Sequence, residues 1–111
     1  MKWFFLVFLL MFSVTPALGG DMEKDSKGTF VYYYLMKGNP EAIGKAVPAH
    51  VEYWESRDLD GYQGGPFADR SGGMIIFEAE GEDSAGKIVA ADPFVIEGFI
   101  SDSRLKEWIP K

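Results

Sequence analysis

The spacing of apolar residues divides this chain into strand-like and helix-like segments. Thr29 to Lys37, TFVYYYLMK, is rich in β-branched and aromatic residues and predicts a strand. Val31, Tyr33 and Leu35 fall on one face of it, and Phe30, Tyr32, Tyr34 and Met36 on the other. Gly38-Asn39-Pro40 breaks the strand. From Glu41 to Arg57 the period changes, with Ile43, Val47, His50, Val51 and Trp54 at helical spacing. Pro48 suits a first helical position and not an interior one. The segment is therefore either a loose turn followed by a helix from Pro48, or one kinked helix. Tyr62 to Pro66 predicts a short strand, and DRSGG (Asp69 to Gly73) a turn.

Met74 to Glu80, MIIFEAE, predicts the next strand. Gly81 can cap a second helix that opens with Glu82 and Asp83, where acidic residues favour the helix dipole. That helix runs to about Ala91 and buries Ala85, Ile88 and Val89. Asp92-Pro93 ends it and starts another turn, with Asp92 as cap and Pro93 as first residue. Glu97 to Ser103 is expected to be the last strand. The order β-α-β-β-α-β predicts an α+β fold of the ferredoxin-like kind, a four-stranded antiparallel sheet with two helices on one face. Such helices cover one side only, yet the first strand is apolar on both. A homodimer joined sheet to sheet would cover the other side, and it is expected to account for Tyr32, Tyr34 and Met36.

The first residues alter where this domain is expected to work. Met1 and Lys2 precede an apolar run from Trp3 to Phe12, followed by Ala17-Leu18-Gly19. This is the pattern of a signal peptide, 1–19, cleaved after Gly19. The run is short for a transmembrane span, and an uncleaved anchor is the alternative. The expected product is extracytoplasmic, periplasmic or secreted, with no integral span after cleavage. Residues 20–28 read as a flexible leader and 29–111 as one domain. Without Lys2 the chain carries ten basic and seventeen acidic residues, a net of −7. Such an acidic domain is a poor ligand for nucleic acid. There are no cysteines, so no disulfide stabilises it.

GGPFADRSGGMIIFEA (Gly64 to Ala79) and AADPFVIEGFI (Ala90 to Ile100) resemble the YciI-like proteins of the dimeric α/β-barrel superfamily. An Ala-His on the first helix, a Gly-Pro-Phe after it, a Gly-Gly strand start and an Asp-Pro after the second helix occur in order. The resemblance covers roughly Thr29 to Trp108. It implies a dimeric α/β barrel and a candidate active site built on a His/Asp pair, here His50 and Asp92. His50 is the sole histidine. An imidazole can take a proton near neutral pH, and a carboxylate on its other nitrogen would fix the tautomer. Read without the resemblance, His50 is an inert polar tip on an amphipathic helix and Asp92 a helix cap.

Gly65, Pro66 and Phe67, with Tyr33, are the expected substrate-binding residues. A plain strand end, and an aromatic strand in the core or dimer interface, are the alternatives. Arg70 could hold an anionic group, but pairing with Asp69 in the loop is the stronger expectation. One histidine and no cysteine predict no metal site, and no cofactor is expected. The expected function is a small-molecule enzyme using His50 and Asp92 for general acid/base elimination or isomerisation of a small cyclic or aromatic compound. A non-catalytic binding module, or a purely structural dimer, is the alternative.

Overall fold

The computed structural model describes residues 27–111. The expected signal peptide, and all of the leader but its last two residues, lie outside this range. Four strands form one antiparallel sheet in the order β2-β3-β1-β4. They are β1 (Gly28–Met36), β2 (Gln63–Pro66), β3 (Gly72–Ala79) and β4 (Ile100–Trp108). The helices are α1 (Pro40–Ser56), α2 (Glu82–Ala90) and the single-turn α3 (Pro93–Ile96). This is the ferredoxin-like α+β fold. Among the described residues no helix is long and apolar enough to cross a membrane.

β1 lies at the centre because both its edges are paired, Tyr32 with Ile75 of β3 and with Leu105 of β4. Its two apolar faces have different fates. Phe30, Tyr32 and Tyr34 point under the helices and are buried with Ile75, Phe77 and Ala79 of β3, Trp54 of α1, Ala85 and Ile88 of α2, and Phe94 of α3. Tyr33 and Leu35 stay exposed on the opposite face, beside Met74 and Trp108. The sheet face left open is therefore that of Val31, Tyr33 and Leu35. Tyr32 and Tyr34 are core residues beneath the helices, not the uncovered ones. Period-2 alternation separates two faces but does not say which one the helices choose.

α1 is one continuous helix starting at Pro40, not a helix starting at Pro48. Asn39 caps it, its side-chain oxygen accepting from the backbone N–H of Glu41 (2.7 Å) and Ala42 (3.1 Å). With Pro40 at the first helical position, this start outweighs the hydrogen bond that Pro48 cannot donate. β4 is displaced from its expected range and runs to Trp108. In it Ile100 and Leu105 are half-buried and the other residues exposed, so little apolar period marks this edge strand. At the start of β3, a Cβ on Gly72 would collide with the backbone carbonyl of Tyr34. The close approach of β1 and β3 there requires glycine.

Candidate functional site

His50 and Trp54 lie one turn apart on α1, so both side chains leave the same face of the helix. Both are buried, whereas Val47 and Val51 of the expected stripe remain 40% exposed. Opposite them, the chain turns sharply between α2 and α3, and Asp92 caps α3 from an extended backbone conformation. Its carboxylate is fully buried and faces three N–H donors. Oδ1 accepts from the backbone N–H of Phe94 at 2.8 Å and lies 2.8 Å from His50 Nδ1. Oδ2 accepts from the Trp54 indole Nε1–H at 2.9 Å. The two residues, 42 positions apart, are thus brought into direct contact.

This arrangement assigns the histidine tautomer. Oδ1 is acceptor to Phe94, and an acceptor facing Nδ1 requires Nδ1 to carry the proton. The lone pair is then on Nε2, which points the other way, towards the Tyr34 hydroxyl at 3.5 Å. The Phe94 ring stacks on the imidazole, with centroids 4.0 Å apart and planes 10° from parallel. The ring is thereby held at its edge by Asp92 and on a face by Phe94.

His50 lines an open cavity of about 950 Å³ bordered by residues of α1 and β2. Tyr34, Ile75 and Phe94 line it with His50. Val47, Val51 and Tyr62, with Gly64, Gly65 and Pro66 of β2, line it as well, and Lys37, Glu55 and Arg70 bring charge to it. Burial pushes the Tyr34 phenol up to about 12, helped by the negative charge of Asp92. It therefore remains a hydroxyl donor throughout the neutral range.

Of the expected substrate-binding residues, Gly65 and Pro66 line this cavity. Phe67 does not line it. Its backbone closes the hairpin instead, donating to the Gly72 carbonyl at 2.8 Å and accepting from the Arg70 N–H at 2.9 Å. Tyr33 is not brought to His50, because strand alternation sends it to the open sheet face, where it lines a separate apolar depression with Val31, Met74, Ile76 and Trp108. Tyr34, its neighbour, occupies the place expected for it. The sequence offers Tyr32, Tyr33 and Tyr34 alike as sources of a pocket phenol, and the packing of the helices on the Phe30, Tyr32 and Tyr34 face selects Tyr34. Arg70 also departs from expectation. Asp69 accepts from the Ser71 hydroxyl (2.7 Å) and backbone N–H (3.0 Å), and among the described residues Arg70 forms no ion pair. It sits at the cavity rim in a left-handed conformation, φ 65°. Among the described residues no three His, Cys, Asp or Glu side chains converge as metal ligands would.

A family model described as a YCII-related domain matches residues 29–109. A curated relative, the uncharacterized protein YjpA of Bacillus subtilis (strain 168), is 43% identical over 44 residues, which are 40% of this chain. The match spans about half of that relative's length, 51%. Among solved structures, the chain is similar to the 5-chloro-2-hydroxyhydroquinone dehydrochlorinase of Burkholderia phenoliruptrix AC1100, in complex with 2,5-dihydroxybenzoquinone. The TM-score is 0.63 at 24% identity, covering 73% of this chain and 93% of that one. It is also similar to a protein of Bacteroides thetaiotaomicron described as a putative antibiotic biosynthesis monooxygenase. There the TM-score is 0.53 at 15% identity, covering 78% and 90%. At these identities both likenesses establish the fold alone.

Proposed function

The chain belongs to the YCII-related domain family, and from that premise we propose that it is a small-molecule enzyme in which His50 moves a proton and Asp92 holds it in the working tautomer. One observation carries this reading: the imidazole is bonded through Nδ1 to a fully buried carboxylate, lines an open cavity, and keeps for Nε2 only a long 3.5 Å contact with the Tyr34 hydroxyl. An inert buried histidine would have both nitrogens engaged in the core. Here Nε2 has only that long contact, beside space that a ring compound could fill, lined by Phe94, Ile75 and Tyr62.

The chemistry follows from the geometry. Nε2 abstracts a proton from substrate, and Asp92 stabilises the imidazolium that forms. In an elimination the freed electron pair expels a leaving group. In an isomerisation Nε2 returns the proton to a second atom. Neither route requires a protein nucleophile, and the chain has no cysteine to serve as one. The substrate class we propose is a small cyclic or aromatic compound carrying hydroxyl or oxo groups, a class that also includes the compounds named for the dehydrochlorinase of similar fold.

The test is chloride release from 5-chloro-2-hydroxyhydroquinone by the purified protein. Turnover that falls at least a hundredfold in both His50→Ala and Asp92→Asn, with the fold intact, supports the dyad. A compound bound unchanged, with His50→Gln tolerated, would make the site a binding module instead.

We further propose that two copies pair through the open sheet face. Val31, Tyr33, Leu35, Met74, Ile76 and Trp108 form an apolar surface there that the helices do not reach. Export after cleavage near Gly20 is also proposed from the leader pattern. An extracytoplasmic fraction containing intact Met1 by mass spectrometry would contradict it.

A further inference from the structure

The Tyr34 hydroxyl is placed with care and yet poorly partnered. It lies 3.5 Å from His50 Nε2, at the outer limit of a hydrogen bond, on a residue only 4% exposed. Its ring is fixed by stacking on Tyr32, with centroids 5.2 Å apart, and by edge contacts with His50 at 6.1 Å and Phe94 at 6.2 Å. The space the hydroxyl occupies is provided by Gly73. A Cβ there would come within 2.5 Å of the Tyr34 oxygen and 2.8 Å of the Gly65 carbonyl oxygen. The second glycine of the Gly-Gly strand start thus admits the phenol tip to the cavity floor.

We propose that Tyr34 donates a hydrogen bond to an oxygen atom of the substrate, beside the atom from which His50 takes its proton. The inference rests on the acid/base reading of His50 and narrows its substrates to phenols, enols and hydroxyquinones, in which the proton lost lies on an oxygen or on a carbon next to an oxygen-bearing one. Two polar atoms 3.5 Å apart can both reach one substrate oxygen, or two adjacent substrate atoms, at ordinary hydrogen-bond length. When Nε2 takes the proton, the electron pair left behind stays on that oxygen, or moves onto the neighbouring one if the proton came from carbon, and the Tyr34 O–H stabilises the charge that develops. In an elimination the pair moves on, the leaving group departs as the anion, and the proton remains on Nε2 until water removes it. No electron is gained or lost overall. Burial keeps the phenol protonated, so it donates a hydrogen bond and does not compete with His50 as a base.

Tyr32 provides the control. It lies on the same face of β1 and is equally buried, but it does not line the cavity, and its hydroxyl has no partner among the described residues. The experiment is calorimetric binding of 2,5-dihydroxybenzoquinone to the wild type, Tyr34→Phe, Gly73→Ala and Tyr32→Phe, with the melting temperature of each. Tyr34→Phe, which keeps the ring and its stack, should weaken binding about tenfold or more, the loss expected for one hydrogen bond. Gly73→Ala displaces the hydroxyl without removing it, should have a similar effect, and serves if Tyr34→Phe does not fold. Tyr32→Phe should bind within twofold of the wild type. Wild-type affinity in the folded Tyr34→Phe overturns the assignment, as does an equal loss in Tyr32→Phe, which would trace the effect to the aromatic stack. The chloride assay on the His50 variants decides the base separately. A wild type that does not bind the quinone overturns the hydroxyquinone class and this inference with it.

Discussion

Replacing Asp92 by asparagine removes one charge and keeps the shape, but it cannot preserve the bonding. The carboxylate accepts from three N–H groups through two oxygens. An asparagine has one oxygen and one NH2. If its oxygen faces His50 and Phe94, its NH2 meets the Trp54 indole N–H, donor against donor. If it flips, its NH2 meets the Phe94 N–H, and His50 must shift its proton to Nε2. Leaving one buried donor unsatisfied costs about 1–3 kcal/mol, and the surviving bonds lose the strengthening that an ionised acceptor provides. Asp92→Asn should therefore destabilise the fold by about 2–4 kcal/mol. For a domain of this size that corresponds to a fall in melting temperature of roughly 10–30 °C. Urea denaturation followed by far-UV circular dichroism measures it, including in variants that lack the buried Trp54. Trp54→Phe removes the opposing indole donor, so the double variant should cost less than the two single losses added, by about 1 kcal/mol or more. A loss below about 0.5 kcal/mol in Asp92→Asn, or strict additivity with Trp54→Phe, would refute the three-donor carboxylate.

Three further outcomes follow from the same contacts. Tyr32→Phe removes a buried hydroxyl without a partner among the described residues and should be neutral or stabilising, by up to about 1 kcal/mol in urea denaturation. The Tyr34 phenol is raised by burial from 10.0 to about 12, so the folded chain keeps a proton that the unfolded chain has lost between those values. Stability present below pH 10 should decline through this window, by about 2–3 kcal/mol from this residue, read as alkaline unfolding alongside tyrosinate absorbance. Ile76→Lys, in the middle of the open sheet face, should halve the sedimenting mass of the proposed dimer while leaving the monomer fold intact.

The sequence carried the order of elements because the apolar period changes sharply, from alternation in β1 and β3 to helical spacing in α1. It did not place β4, since an edge strand with two half-buried residues has little period to read. The start of α1 was legible in Asn39-Pro40 but was obscured by Pro48, whose penalty a capped helix of 17 residues absorbs. His50 facing Asp92 was not legible from spacing. It came from the family resemblance, and a tertiary contact across 42 positions has no local signature. Which of the tyrosines meets the cavity was not legible, because alternation identifies two faces without telling which meets the helices. The clue lay in β3, where Gly72 and Gly73 lie opposite Leu35 and Tyr34 and make room for the larger side chain. That Arg70 forms no ion pair among the described residues could not be foreseen from Asp69 beside it, because Ser71 takes that carboxylate.

The central claim is that Asp92 holds the proton on Nδ1 of His50 and leaves the lone pair on Nε2, beside the cavity. With a single histidine in the chain, a long-range ¹H–¹⁵N correlation spectrum reads this without assignment. At a pH where the ring is neutral, the account predicts one protonated nitrogen, Nδ1, with a slowly exchanging proton, and an unprotonated Nε2. A ring protonated at Nε2, or a fast average of both tautomers, would contradict it.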